Sequence, residues 1–315
     1  MAGPVPAIHK LLRRQGVWRA GTEAGHDDLG ERDSLAPKRM DLQTALASCE
    51  ASVRRHDPDR YFATLFAPED RRPLLFALYA FNHELASVAE NAREPMMGRI
   101  RLQWWRETVE AARDLHQRGH DVAHALVEVF AGIGPPIELF EAMIDAREHD
   151  AADLGFADMA ALEAYADATG GNLMRLASLV LGASEHDALA REAGIVTALT
   201  GILRTVPFHG SRRSLMLPHD LLAEHDIAPE DVFAGKAPLK PVYAAIAERA
   251  RAHLAAARAL PKPGIALPAF LPVALVPLYL KAVTRPGFDP FRHPAEVALF
   301  RRQAAFLKAS VTGHV

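Results

Sequence analysis

The sequence of 315 residues is poor in three things: cysteine, net charge and long uninterrupted hydrophobic runs. Its single cysteine, Cys49, excludes an internal disulfide framework and a zinc site built from four cysteines. One cysteine is also typical of a protein from a reducing compartment. The 36 Lys and Arg residues against 39 Asp and Glu residues give a net charge of −3. Because a nucleic-acid binder needs a basic face to neutralise phosphates, we expect no nucleic-acid partner.

No stretch reaches the ~18–20 uninterrupted apolar residues that a transmembrane helix needs. The most apolar segment, residues 265–280, is interrupted by Pro268, Pro272 and Pro277. A helix that is apolar on all sides is typical of a protein core. We therefore expect a buried, proline-kinked helix and no transmembrane span, with contact between this segment and lipid or a membrane partner as the alternative.

The first forty residues differ in composition from the rest of the chain. They contain a basic stretch followed by one rich in Gly, Asp and Glu, and they show no sustained periodicity. They also lack the compact apolar segment of a secretory signal, and their acidic residues are unlike those of a transit peptide. We interpret residues 1–40 as a disordered N-terminal tail and residues 41–315 as one domain.

From Asp41 onward the pattern predicts an all-α fold. Half of all residues are hydrophobic and 24% are charged, which is typical of a globular protein. Apolar residues recur at spacings of three and four, and alternating strand-like runs are nearly absent. Pro and Gly breaks divide the pattern into predicted helices: one begins at Asp41 and ends at the break over 56–59, a second begins at Pro58 or Asp59, and a third runs from about 68–70 to 93. Further helices are predicted over about residues 95–116, on either side of a break at 132–136, and over about 158–181, 186–205, 240–260, 265–280 and 294–308.

Three histidines are spaced as on one helix face: His116, His120 and His124. A stripe of this kind could bind a metal ion. Gly119 lies within the stripe, however, and the sequence around it is typical of a turn. We therefore expect a solvated loop here and no metal site.

Three motifs occur in a specific order and together are informative. They are residues 78–83 (LYAFNH) with 99–107 (RIRLQWWRE), residues 165–173 (YADATGGNL), and residues 201–213 (GILRTVPFHGSRR) followed by Leu217-Pro218. In this order and spacing they resemble the squalene/phytoene synthase family over about residues 41–310. The resemblance implies an isoprenoid-synthase-like helical bundle around a central cavity.

Active members of that family join two prenyl diphosphates head to head. The resemblance implies that they hold Mg²⁺ through two Asp-rich motifs on helices that face each other across the cavity. Carboxylate and phosphate oxygens are the ligands that Mg²⁺ prefers, and several ions offset the charge of the departing diphosphate.

This sequence departs from both Asp-rich motifs. The first falls on Ala86, Ser87 and Glu90, and the second falls on Thr205 and His209. Only Glu90 retains a carboxylate, so we expect no catalytic residue and no bound metal, and Mg²⁺ would be needed only if the protein were a working prenyltransferase. Pro207 also removes a backbone donor, and it predicts a kink or an end of the helix that would move His209 off the expected line.

Several residues remain candidates for lining the cavity or binding a ligand there. His83, Ser87, Glu90 and Glu94 share one helical stripe by their spacing. Arg204 matches an arginine of the family motif, and we expect it to pair with an acid such as Glu90 because buried arginines need partners. The complete set of candidates is His83, Ser87, Glu90, Tyr165, Asn172, Arg204, Thr205, His209, Arg212 and Arg213.

For some of these residues an alternative stays open. Tyr165 and Asn172 could form hydrogen bonds inside the cavity or satisfied contacts between helices. His209, Arg212 and Arg213 could bind an anionic group without a metal, because guanidinium groups form forked hydrogen bonds with phosphates. The alternative for these three residues is a solvated basic turn.

The substitutions are themselves a pattern. Residues 203–213, together with residues 268–272 (PAFLP), resemble the non-catalytic branch of the family, which serves in the assembly of respiratory complex I. The resemblance implies a complex I membrane-arm subunit or assembly intermediate as partner, and an isoprenoid or lipid as a further ligand. It implies a cytoplasmic location, peripheral on the inner membrane, or the matrix side in a mitochondrion.

Two other functions stay open from the residues alone. One is an active head-to-head prenyltransferase with unusual ligands: Glu84, Glu90, Glu94 and His209. The other is an isoprenoid- or lipid-binding protein that retains the cavity as a pocket.

Overall fold

The Ala- and Leu-rich pattern folds into helices throughout the part of the chain that the structure describes. A computed structural model describes residues 41–91, 94–152 and 155–315, so the predicted tail lies outside the described residues. These residues contain no strand, and the only β-type pairing in them is a single bridge between Phe156 and Pro218. The prediction of an all-α fold is confirmed.

The first eight helices make up the N-terminal half. A π-helical turn, Asp167–Gly171, joins the last two of them. The helices are α1 Leu42–His56, α2 Pro58–Thr64, α3 Arg72–Asn91, α4 Pro95–Arg113, α5 Asp121–Ile133, α6 Ile137–Ala152, α7 Met159–Ala166 and α8 Asn172–Val180.

Seven further helices follow. They are α9 Asp187–Ser211, α10 His219–Glu224, α11 Pro229–Phe233, α12 Lys240–Ala259, α13 Leu267–Phe270, α14 Val276–Val283 and α15 Leu299–Thr312. The longest is α9, and it packs against α12, the π-helical turn, α7 and α8. In the N-terminal half, α1 packs against α3 and α5, and α4 packs against α6.

Aromatic residues fill the core between α3, α4 and α6. The ring centroid of Phe81 lies 5.4 Å from that of Trp105 and 5.5 Å from that of Phe140. All three side chains are fully buried. Edge-on and tilted contacts of this kind stabilise a core beyond the area they bury. These contacts fix α3 against α6. Polar residues near the C-terminal ends of the two helices therefore lie close together.

Side-chain caps explain several helix starts. The carboxylate of Asp158 accepts a hydrogen bond of 2.8 Å from the backbone N–H of Ala161 at the start of α7. His120 accepts one of 3.2 Å from the backbone N–H of Val122 at the start of α5. Caps satisfy donors that the first helical turn leaves without partners. The predicted solvated loop is therefore confirmed only for the exposed His116, since His120 caps α5 and His124 is buried on that helix.

The proline-bearing segment is buried but is not one regular helix. Pro268, Pro272 and Pro277 each lie in the first turn of a new short piece, because proline cannot donate the next backbone hydrogen bond. Two of the pieces are 3₁₀ helices, Gly264–Ala266 and Leu271–Leu275. Residues 264–283 are long and apolar enough to cross a membrane, yet most of them are buried in the protein.

Two more predicted helices have different boundaries in the structure, and the short helices α10 and α11 were not predicted. The helix predicted over 158–181 is interrupted by the π-helical turn, where Gly170 and Gly171 pass close to Gly194 of α9. The last helix begins at Leu299 and not at Pro294. Its N-cap Ala298 is extended, and the preceding Val297 packs against the core around Phe306.

The prediction that Pro207 kinks or ends its helix is wrong about the end. Helix α9 continues to Ser211, four residues beyond this proline. Pro207 has no N–H for the carbonyl of Leu203, four residues earlier, but the phenol of Tyr243 donates a hydrogen bond of 2.8 Å to that carbonyl. Tyr243 lies on α12 and is buried. A neighbouring helix therefore satisfies the acceptor that proline leaves without a donor.

Two glycines of α9 give a matched test of the close helix crossing. A Cβ at Gly194 would lie 2.3 Å from the Cα of Gly171, whereas a Cβ at Gly201 would meet no atom within 4 Å. We expect Gly194→Ala to destabilise the protein by at least about 1–3 kcal/mol because backbone must move. Gly201→Ala should stabilise it by about 0.5–1 kcal/mol through helix propensity. Urea unfolding measures both changes, and equal effects would contradict the close crossing.

A double-mutant cycle tests the role of Tyr243. Tyr243→Phe leaves the buried carbonyl of Leu203 without a donor, so we expect a loss of about 1–3 kcal/mol of unfolding free energy. Pro207→Ala supplies a backbone N–H to the same carbonyl, so Tyr243→Phe should cost clearly less in the protein that already carries Pro207→Ala. Additive effects of the two substitutions, measured by urea unfolding, would refute the proposed link.

Candidate functional site

Polar side chains from four helices meet where α3, α6 and α9 end. The polar cluster, as we call it, consists of Glu90 of α3, Arg147 and Asp150 of α6, Tyr165 of α7, and His209 of α9 with Arg212, its C-cap. Its formal charges balance, with two guanidinium groups against two carboxylates. The continuation of α9 past Pro207 carries His209 and Arg212 into it.

The centre of the polar cluster is a largely buried triad of hydrogen bonds. Arg147 Nη1 donates to Asp150 Oδ2 at 2.9 Å and to Tyr165 Oη at 2.5 Å, and Tyr165 Oη donates to Asp150 Oδ2 at 2.8 Å. Burial works against the charge of Arg147, but Tyr165 and Asp150 raise its pKa above the ordinary value. Burial raises the pKa of Tyr165, so the phenol stays neutral.

One oxygen of this triad has no donor. Asp150 Oδ1 is buried and accepts no hydrogen bond from any described residue. A buried acceptor without a donor is costly. His209 lies in the field of Asp150, which favours a charged imidazole there. A ligand group or a protonated side chain that donates a hydrogen bond would therefore be stabilised at this oxygen.

Glu90 and Arg212 form the more open side of the polar cluster. Desolvation raises the pKa of Glu90, while the positive charges of Arg212 and Arg147 oppose that rise. Burial lowers the pKa of His209, with Arg147 and Arg212 acting in the same direction. The guanidinium carbon of Arg212 lies 3.8 Å from the ring centroid of Phe208, and this stacking holds the arginine in place.

Two predicted residues, His83 and Ser87, lie on α3 before Glu90. His83 stacks on His56 of α1, with ring centroids 4.0 Å apart. Burial lowers the pKa of His83, and the positive charge that His56 can carry adds to the effect. Ser87 Oγ donates a hydrogen bond of 2.8 Å to the carbonyl of His83 on its own helix. The predicted stripe is confirmed for His83, Ser87 and Glu90 and wrong for Glu94, because α3 ends at Asn91 and Glu94 is the N-cap of α4.

Four other predicted residues lie outside the polar cluster. Arg204, which we expected to pair with an acid such as Glu90, lies over the ring of Tyr279 at 3.7 Å. Thr205 Oγ1 donates back to the carbonyl of Gly201 at 3.0 Å.

The remaining two have different partners. Asn172 Oδ1 accepts a hydrogen bond of 2.9 Å from Arg175 Nη1, and both residues lie on α8, which follows the π-helical turn. Arg213 has a φ of +60° and lies over the ring of Phe233, so it does not form one anion site with His209 and Arg212.

Sequence reasoning missed Arg147 and Asp150. A signal was present, because Arg147 follows the buried Met143 by four residues and the buried Ile144 by three. It therefore lies on the core-facing stripe of α6, and Asp150 follows one turn later. Charged residues on an apolar stripe are typical of a buried pair.

The donors present do not fit the magnesium cluster that the family resemblance implies. No group of three or more His, Cys, Asp and Glu side chains within the described residues could hold a metal ion. Arg147 already pairs with Asp150, and Arg212 lies near Glu90. Because Mg²⁺ needs several oxygen ligands that face it together, the polar cluster is better described as an internally neutralised group.

A groove adjoins the polar cluster at Tyr165. It has a volume of about 700 Å³ and lies between α6, α7 and residues 155–157. Its lining is mainly apolar and includes Ala146, Phe156 and Ala161.

Comparisons of sequence identify relatives of two kinds. The family model for squalene/phytoene synthase matches residues 53–303. The bovine protein NADH dehydrogenase (ubiquinone) complex I, assembly factor 6, is 29% identical over 298 residues, which covers 92% of this chain and 89% of that protein. The human protein of the same name is 32% identical over 253 residues, with 78% and 76% covered. A presqualene diphosphate synthase of Rhodopseudomonas palustris is 32% identical over 204 residues, with 62% and 72% covered.

Solved structures of similar fold include two synthases. A dehydrosqualene synthase in complex with a ligand has a TM-score of 0.72 at 17% identity, with 86% of this chain and 97% of that chain covered. A squalene synthase from Alicyclobacillus acidocaldarius has a TM-score of 0.68 at 20% identity, with 79% and 97% covered. These likenesses confirm the expected isoprenoid-synthase-type helical fold.

The lowered pKa of His209 predicts a pH dependence of stability. The unfolded chain takes up a proton at this residue at a higher pH than the folded protein does, so stability falls as the pH drops below about 6.5. We expect His209→Gln to reduce the loss of unfolding free energy between about pH 7 and about pH 5. Urea unfolding at each pH measures this loss, and His116→Gln, a substitution of an exposed histidine, serves as control. Equal pH slopes in wild type and His209→Gln would contradict the prediction.

Proposed function

The chain belongs to the squalene/phytoene synthase family, and from this premise we propose that it assists the assembly of respiratory complex I and does not join prenyl diphosphates. The relatives named as complex I assembly factors support the first part, since their similarity extends over most of both chains. The chemistry of the polar cluster supports the second part.

The observation that carries the proposal is the presence of arginines beside the few remaining acids. Family resemblance aligns the Asp-rich motifs with Ala86, Ser87 and Glu90 on α3, and with Thr205 and His209 on α9. Asp150, the other carboxylate of the cluster, is held by Arg147 and Tyr165. A site that must bind several Mg²⁺ ions needs an excess of negative charge, and the polar cluster has none.

The proposed partner is a membrane-arm subunit of complex I or an intermediate of its assembly. The protein would act on the cytoplasmic side of the inner membrane in a bacterium, or on the matrix side in a mitochondrion. The hydrogen bonds of Tyr165 with Arg147 and Asp150 would then hold α7 against the end of α6, and the charges of Glu90 on α3 and Arg212 after α9 would add weaker electrostatic contacts. A rigid set of helix ends is suited to presenting a constant surface to a protein partner.

A second candidate is an active head-to-head prenyltransferase. The presqualene diphosphate synthase relative favours it, since that protein is as similar to this chain as the human assembly factor, over a shorter region. In that case Glu84, Glu90, Glu94 and His209 would bind the metal and the diphosphate. A third candidate, an isoprenoid- or lipid-binding protein, is favoured by the apolar groove beside Tyr165.

Gene deletion with complementation separates these functions. We expect deletion to lower the amount of assembled complex I on native gels while carotenoid and hopanoid contents stay unchanged. The purified protein should release no pyrophosphate from farnesyl or geranylgeranyl diphosphate with Mg²⁺. Glu90→Gln keeps the shape of the side chain and removes its charge, so this variant should restore complex I as well as wild type does.

Other outcomes would support the rival functions. Normal complex I, together with hydrocarbon product that disappears in Glu90→Gln, would establish the prenyltransferase. Normal complex I, with polyprenyl lipid that copurifies with the protein, would establish the lipid-binding protein.

A further inference from the structure

Helix α15 has an apolar face on each of two sides. On one side, Phe306 and Ala309 are buried against the core formed with Leu271, Leu275 and Tyr279. On the other side, three large apolar residues are exposed: Phe300 at 67%, Leu307 at 61% and Val311 at 80%. Their spacing of seven and four places them on one line along the helix, and we call them the outer ridge.

The charges of α15 have a single sign. Its fourteen residues include Arg301, Arg302 and Lys308 and no acidic residue. Arg302 Nη1 pairs with Asp59 Oδ1 at 2.7 Å. Arg301 and Lys308 are exposed, lie seven residues apart beside the outer ridge, and pair with no acid that the structure describes. The outer ridge is therefore flanked by two positive charges.

Contacts on the inner side hold α15 in place. Tyr279 Oη donates a hydrogen bond of 2.7 Å to Asp59 Oδ2, which belongs to the same carboxylate that binds Arg302. At the C-terminal end of α15, Lys262 Nζ donates a hydrogen bond of 3.0 Å to the carbonyl of Thr312. Because both ends of α15 are attached to the rest of the fold, the outer ridge stays presented to the outside without local unfolding.

The charge pattern decides which occupant fits this face. A second copy that packed its α15 against this one would bring four unpaired positive charges together, which is unfavourable. An anionic lipid surface suits both features, since apolar residues enter the acyl boundary and basic side chains remain at the headgroups. We propose that the outer ridge of α15 docks the protein onto an anionic lipid membrane. This inference does not depend on the proposed function.

Vesicle binding of the full-length protein tests the proposal. Flotation with vesicles of phosphatidylcholine, and of phosphatidylcholine mixed with phosphatidylglycerol in equal parts, should show binding to the anionic vesicles. Arg301→Gln with Lys308→Gln should weaken that binding about thirtyfold, at ~1 kcal/mol per basic residue. Leu307→Ser with Val311→Ser should weaken it at least about tenfold by removing apolar area.

Matched controls remove the same groups elsewhere. Lys236→Gln with Lys240→Gln removes two exposed positive charges, and Leu115→Asn removes an exposed apolar side chain at a residue with a φ of +59°, which Asn tolerates. Both controls should bind vesicles as wild type does. Because every substituted residue is exposed, we expect each variant to fold. Circular dichroism and thermal unfolding check this.

Three results would overturn the proposal. The first is no binding to anionic vesicles, or binding that the ridge variants leave unchanged. The second is a dimer in light scattering that Leu307→Ser with Val311→Ser dissociates, which would assign the face to a second copy. The third is unaltered vesicle binding by ridge variants that no longer capture complex I subunits, which would assign the face to a protein partner.

Discussion

A buried hydrogen bond from the phenol of Tyr243 to the carbonyl of Leu203 has consequences far from its own position. Proline within a helix removes one backbone donor and usually bends or ends the helix. Here α12 supplies the missing donor, so α9 continues beyond Pro207. His209 and Arg212 lie on the part of α9 that follows, and the polar cluster depends on their positions.

Close contact between glycines sets the other end of the same helix. Gly194 of α9 approaches the backbone of Gly170 and Gly171 so closely that no side chain fits between them. The backbone at this crossing forms a π-helical turn, which inserts an extra residue into the helical ladder and often occurs near functional sites. Tyr165 lies just before the turn, and its phenol points into the triad with Arg147 and Asp150. The geometry of the polar cluster therefore depends on α9 at both ends.

The charge balance of the polar cluster connects fold to function. The family resemblance implies a synthase site that attracts Mg²⁺ and diphosphate, and such a site requires carboxylates in excess. In this chain Arg147 pairs with Asp150, Arg212 lies near Glu90, and Tyr165 ties α7 to α6 through its hydrogen bonds with Arg147 and Asp150. The same helical bundle can then serve as a rigid body with surfaces for other molecules. Helix α15 provides one such surface, with its apolar residues and positive charges directed outward.

Much of this protein could be predicted from local pattern. Apolar spacing of three and four, with Pro and Gly at the breaks, predicts the all-α fold, because each helix must bury one stripe of its own sequence. Three motifs in order predict the family and Glu90, Tyr165, His209 and Arg212 as candidates. The π-helical turn could not be predicted, because it results from the contact between helices distant in sequence.

The partners of each polar side chain were decided by the tertiary structure alone. Arg204 lies on Tyr279, and Arg147 with Asp150 occupies the centre of the cluster, because packing between helices determines which groups meet. The course of α9 through Pro207 was decided in the same way, since the donor that permits it comes from residue 243, distant in the chain. Sequence by itself determined the all-α fold and most of the helices, because apolar spacing and Pro and Gly breaks are local. A hydrogen bond or ion pair between helices needs the distances that only the folded chain provides.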